Sequence, residues 1–222
     1  MIRSLITTVA VALAAAAGAW DAAIEPAPPD GGAFGAPENT DDVRTLLWDN
    51  GIPYWMISWL TGEDTWVGND FTAPANHRHI KKVLIYAGPT WPNGRWDGWH
   101  LAIYRMTDNH RPGSIIRGPY DIKGTSSGPA WNAFDVDVFL PTGVSAFCAA
   151  IEQEYPHPYS DAFILDSNPT YRRHSWVYYR SWFEMTTDAD PYRNLMLRVV
   201  VDEETNPAVE PASLGRVKAV YY

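Results

Sequence analysis

His79-Ile80-Lys81-Lys82-Val83-Leu84-Ile85-Tyr86 and Trp99-His100-Leu101-Ala102-Ile103-Tyr104-Arg105-Met106 are two short apolar runs separated by a loop. Both are rich in β-branched and aromatic residues, which predicts a strand in each. The intervening loop, Gly88-Pro89-Thr90-Trp91-Pro92-Asn93-Gly94-Arg95-Trp96-Asp97-Gly98, carries too much Gly and Pro for a helix. The expectation is a pair of neighbouring core strands with an aromatic loop at one end. It supplies a scaffold and a binding surface, and no chemistry.

Working outward, further strands are expected at intervals of about ten residues, with turns between them. They are 45–48, 54–60, 65–71, 79–87, 98–106, 133–140, 144–153, 162–166, 175–185 and 194–201. The turn signals include Asp49-Asn50-Gly51, Pro112-Gly113, Pro141-Thr142-Gly143 and Asn168-Pro169. No long segment has a helical period, so the fold class is all-β, an antiparallel sandwich or jelly roll. Phe134 to Phe139 alternates with a period of two, which sets Asp135 and Asp137 toward solvent. Leu195 to Val201 is apolar apart from Arg198 and suits a central strand.

The ends differ in composition. Residues 1–19 read as a signal peptide: Arg3, an apolar stretch from Leu5 to Ala17, then Ala17-Gly18-Ala19. Residues 20–43 read as a flexible arm, with Pro26, Pro28, Pro29 and Pro37 among glycines and acids. The sandwich is expected over 44–202, a linker over 203–213 and a terminal strand over 214–222. In that strand Leu214, Val217, Ala219 and Tyr221 are the residues expected to pair with a sheet edge. The expected location is extracellular or at a cell surface, with no membrane insertion once the leader is removed.

The 222 residues are 46% hydrophobic and 14% aromatic, enough for one ordinary core. A net charge of −9 argues against nucleic acid or an anionic membrane as partner. Cys148 is the one cysteine, in a small apolar run. It forms no intrachain disulfide and reads as a buried, inert thiol.

The motifs Trp48-Asp49-Asn50-Gly51, Phe71-Thr72-Ala73-Pro74 before Ile80-Lys81-Lys82-Val83, Ile103 to Asp108 with Arg111-Pro112-Gly113, Asp166-Ser167 and Asn194 to Val199 occur in an order that resembles secreted bacterial jelly-roll-like surface-protein domains. The tail from Leu214 to Tyr221 is similar to the opening of immunoglobulin-like sorting domains. The resemblance implies binding or surface architecture, and it carries no catalytic residues. It makes other copies of the chain, or surface proteins, the expected partners.

Three kinds of site can be weighed on the residues. Trp91, Trp96 and Trp99 offer flat indoles for sugar stacking, with Asn93, Arg95 and Asp97 in reach of hydroxyls, so polysaccharide is a second expected partner. The alternative for these indoles is capping of the core. Asp64, Asn69 and Asp70, or Asp188 and Asp190, could supply oxygens to a structural calcium; no other cofactor is expected. His77 and His79 could begin a metal site but have no identifiable third ligand. Glu152 with Glu154, or Asp135 with Asp137, could form a hydrolase pair, although such spacing more often marks a solvated face. No nucleophile elbow, phosphate loop or zinc-protease motif is present. The expected function is a non-catalytic structural or adhesive module that self-assembles, with a carbohydrate-binding module and a glycan hydrolase as alternatives.

Overall fold

The computed structural model describes residues 9–15, 18–26, 42–59, 65–88, 99–124, 129–153, 155–156, 159, 161–167, 173–185 and 194–203. They contain strands and no helix, in two antiparallel sheets. The first sheet contains β1 (Val9–Ala15), β2 (Gly18–Pro26), β3 (Val43–Leu46), β4 (Pro53–Trp59), β6 (His79–Gly88), β9 (Ala130–Phe139), β11 (Ala162–Asp166) and β14 (Leu197–Asp202). The second runs β13 (Ser181–Glu184), β12 (Ser175–Tyr179), β5 (Thr65–Thr72), β10 (Ala146–Gln153), β7 (Trp99–Met106) and β8 (Pro112–Ile122). The expected all-β sandwich is what forms.

The decisive pair of runs behaves differently from expectation. β6 sits inside the first sheet and β7 inside the second. They are strands of opposite layers. Both are largely apolar because each contributes to the core between the sheets.

That core is built by alternation. Val67, Phe71, Leu101, Ile103, Phe147 and Ile151 from the second sheet meet Val83, Ile85, Phe163, Leu165, Leu197 and Val199 from the first. In β6 the strand's period of two is broken at Lys81-Lys82, where the register with β14 and with β9 shifts. This bulge brings both Ile80 and Val83 inward and leaves the lysines exposed. Lys81 then pairs with Asp202 at 3.1 Å and Lys82 with Asp135 at 3.4 Å. β9 buries Val136 and Val138 and exposes Asp135 and Asp137, and β14 lies between β6 and β3, both as the sequence predicts.

Two expectations need correction. The run 175–185 is a hairpin, β12 and β13, turning at Arg180 with φ 63°. β8 was expected only as a turn at Pro112-Gly113. Its polar, interrupted sequence is that of an edge strand, and it pairs with β7 through repeated register shifts. At the N-terminus, β1 and β2 pair as a hairpin and β2 pairs with β4. β2 thus takes the first part of the expected arm into the sheet, where it satisfies the backbone edge of β4. Near the other end, the Glu203 N–H donates to the Asp42 carbonyl at 2.8 Å.

A buried polar junction closes the first sheet. Asp166 accepts from the backbone N–H of Asn50 and of Asn194, each at 2.9 Å. Burial pushes the Asp166 carboxyl up to about 6, against the lowering donations from Asn194 and Asn50; the nearby Asp49 adds to the rise. A carboxyl raised on folding binds more protons in the folded chain, so stability falls as pH rises from about 4 to about 6, by at most about 3 kcal/mol. Asp166→Asn should flatten that decline in urea-denaturation midpoints measured across the window. An equally steep decline in the variant would show that another group causes it.

Candidate functional site

The outer face of the second sheet is set by the residues that alternate away from the core. Register aligns them in three rows. Asp70 lies opposite Cys148, which lies opposite Tyr104. Next come Glu184, Trp176, Gly68, Ala150 and Ala102. The third row is Trp182, Tyr178, Trp66, Glu152 and His100. Small side chains in the middle row leave a depression, and large rings pack over it. Trp66 meets Tyr104 edge-on at 5.7 Å, and Tyr104 meets Trp182 edge-on at 5.1 Å. Trp66, Trp176 and Trp182 are buried in this cluster. Trp176 and Tyr178 both belong to this aromatic cluster on the outer face.

Gly68 is the tightest point of the depression. A Cβ there would come within 2.4 Å of the Ala149 carbonyl oxygen and 2.6 Å of the Ala150 Cβ. Gly68→Ala should force β5 and β10 apart and cost about 1–3 kcal/mol. A thermal melt indistinguishable from the parent would contradict that packing.

At one corner of this face the surface opens into a cleft of about 450 Å³. Asp70, from β5, forms its floor with Trp176, from β12. Arg173 and His174, just before β12, and Glu184, from β13, form one wall. The turn between β7 and β8 supplies the other, with Asn109, His110 and Arg111. Trp176 Nε1–H donates to Asp70 Oδ1 at 2.6 Å, and His174 Nδ1 lies 3.0 Å from Oδ2. The His174 ring stacks flat on Trp48 at 3.6 Å, and Trp48 Nε1–H donates to the Asp70 carbonyl at 2.7 Å. Arg173 grips Glu184 with two bonds, of 2.7 and 3.1 Å. All four carboxylate oxygens therefore contact a donor group. Asp70 and Glu184 act as orienting groups that hold imidazole, indole and guanidinium in place.

At another corner His100 lies between two carboxylates, Glu152 at 2.9 Å from Nδ1 and Asp121 at 3.1 Å from Nε2. Both contacts are donations only when the ring is protonated. Cys148 is fully buried in the middle of the face, and burial holds its thiol well above the ordinary range, as an inert thiol requires.

The sequence-predicted residues fall differently. Trp99 is fully buried and packs against Phe163 at 4.7 Å, so it caps the core and presents no face to a sugar. Trp91, Asn93, Arg95, Trp96 and Asp97 lie outside the described residues, as do Leu214, Val217, Ala219 and Tyr221. Asn69, a candidate calcium ligand on sequence, has its side chain inside the sandwich. Its amide donates to the carbonyls of Leu195 and Leu197, and its oxygen accepts from Ser175. Asp70 spends its oxygens on Trp176 and His174. Asp64, Asp188 and Asp190 lie outside the described residues. No group of three or more His, Cys, Asp or Glu suited to a metal occurs among the described residues. His79 stacks on Phe139 at 4.1 Å and meets Asp137 at 2.6 Å, while His77 is buried. Glu152 pairs with His100, and Glu154 lies outside the described residues.

No protein-family model and no curated protein matches this chain. Among solved structures, the fold is similar to one found in the cysteine protease and lectin-like domains of Cwp84, a surface layer associated protein of Clostridium difficile. The TM-score is 0.55 at 10% sequence identity, over 75% of this chain and 37% of that one. The chain thus corresponds to little more than a third of that protein's chain, and at this identity the likeness is one of fold.

Proposed function

We propose that this chain is a non-catalytic, secreted β-sandwich module of a bacterial surface that binds glycan in the cleft floored by Asp70 and Trp176. The observation that carries the reading is the construction of that cleft. An indole, an imidazole and a guanidinium are each held by a carboxylate, beside an amide, a second imidazole and a second guanidinium on a tight turn. Sugars offer hydroxyls that both donate and accept, so preorganised planar polar groups of both kinds suit them. The engaged state of both cleft carboxylates supports binding over hydrolysis, which needs one carboxyl as acid and one as base or nucleophile. A lectin-like domain in the similar solved structure is compatible with this reading.

The full chain on a glycan array should show selective binding. Trp176→Phe keeps a ring and removes the donor to Asp70, and Asp70→Asn weakens the hold on His174; each should lower affinity about ten-fold. A blank array, or unchanged affinity in both variants, would refute the cleft as the site.

Assembly into a surface layer is the second reading. It draws on β13 and β8, the two end strands of the second sheet, which expose Phe183 and Ile115. Light scattering of the full chain at high concentration, with and without residues 205–222, tests it. A monomer in both forms would exclude it.

A further inference from the structure

The pairing of groups in the cleft points to the class of glycan. Its two carboxylates already face partners: Asp70 meets His174 and Trp176, and Glu184 meets Arg173. On the opposite wall Arg111 is exposed, and among the described residues it pairs with no carboxylate. Its backbone is held firmly. Thr107 N–H and Oγ1–H both donate to the Arg111 carbonyl, at 2.8 and 3.0 Å, and Arg111 N–H donates back to Thr107 Oγ1 at 3.3 Å. His110 takes φ 54° within the same turn. Arg111 is thus a guanidinium on a rigid turn in the cleft wall, with no carboxylate partner among the described residues.

Resting on the glycan-binding reading, we infer that the cleft selects an acidic glycan, one bearing a carboxylate or sulfate, and that Arg111 recognises the anionic group. The guanidinium fork matches either anion with two parallel donations, which a hydroxyl cannot accept in the same way. The whole chain carries −9, so its general field repels such a ligand while Arg111 attracts it. Salt screens both effects, and salt dependence alone is therefore a poor diagnostic. A chemically matched pair of ligands is a better one.

The test is an array on which uronate and sulfate-bearing oligosaccharides stand beside neutral counterparts, including an oligogalacturonate and its methyl ester. The full chain should bind acidic spots at least about ten-fold more tightly than their neutral partners. Arg111→Gln, at an exposed position, should erase that preference while the thermal melt stays unchanged. Preference for uronates over sulfates, or the reverse, identifies the anion and supports the inference either way. Equal binding of the acid and its ester, with Trp176→Phe still weakening both, overturns the inference and leaves the glycan reading standing. No binding to any spot overturns both.

Discussion

Replacing Arg198 by Met is expected to lower the stability of the fold by about 3–5 kcal/mol, the usual cost of stranding a buried charge. Arg198 points from β14 to the outer side of the first sheet. Its Nε lies 3.2 and 3.0 Å from the two oxygens of Asp49, and its Nη2 lies 2.5 Å from Oδ1. The Asp49 side chain is 0% exposed and that of Arg198 is 8% exposed, so water cannot replace the lost partner. The guanidinium also lies 4.1 Å from the ring centre of Trp131, a contact Met only partly restores. Asp49 further accepts from Gly51 N–H at 2.9 Å and so shapes the turn into β4. Removing both charges, in Arg198→Met with Asp49→Asn, should recover part of the loss, because the stranded carboxylate is gone. A double variant as unstable as the sum of its singles would show that the pair acts through shape rather than charge. Urea denaturation of the four proteins decides it.

Asn69→Leu should cost about 2–4 kcal/mol, for a related reason. Asn69 belongs to the second sheet, but its amide reaches across the core to carbonyls at Leu195 and Leu197 of the first, at 2.9 and 3.1 Å. Its oxygen accepts from Ser175 Oγ at 2.8 Å, and Ser175 Oγ accepts in turn from Leu195 N–H at 3.1 Å. Leucine fills the volume and leaves these groups facing an apolar side chain. Pairing the change with Ser175→Ala removes one stranded donor and should not restore the carbonyls. If Asn69→Leu were neutral or stabilising in a denaturant titration, the amide would not be bridging the two sheets.

The fold was largely legible because it rests on period-two patterning. The runs at 65–71, 79–87, 133–140 and 144–153 matched β5, β6, β9 and β10 closely, and alternation placed Asp135 and Asp137 outside. The errors have physical causes. Apolar runs as strong as β6 and β7 say that a strand is buried, but they do not say in which sheet. β8 is polar and irregular because an edge strand on a sandwich has little apolar surface to bury. Trp99 could be read as a sugar platform or as a core cap, because an indole at the end of an aromatic loop and an indole capping a core have the same local sequence.

The candidate cleft was the least legible part. The sequence marks Asp70 only as a possible oxygen ligand and gives Trp176 no role beyond a place in a strand. Their meeting depends on β12 pairing with β5 across 106 residues of chain. Arg111 arrives from the turn between β7 and β8, and Glu184 from β13. No local spacing encodes that convergence, since it follows from strand order and register.

The most direct test of the glycan reading is a two-dimensional amide spectrum of the ¹⁵N-labelled full chain, titrated with an array-identified glycan. Each indole N–H gives its own signal. The account predicts that the Trp176 signal moves on titration, with that of Trp48 behind His174 following, while that of the buried Trp99 stays fixed. Movement confined to Trp91 and Trp96, with Trp176 unmoved, would contradict it and put the site on the loop between β6 and β7.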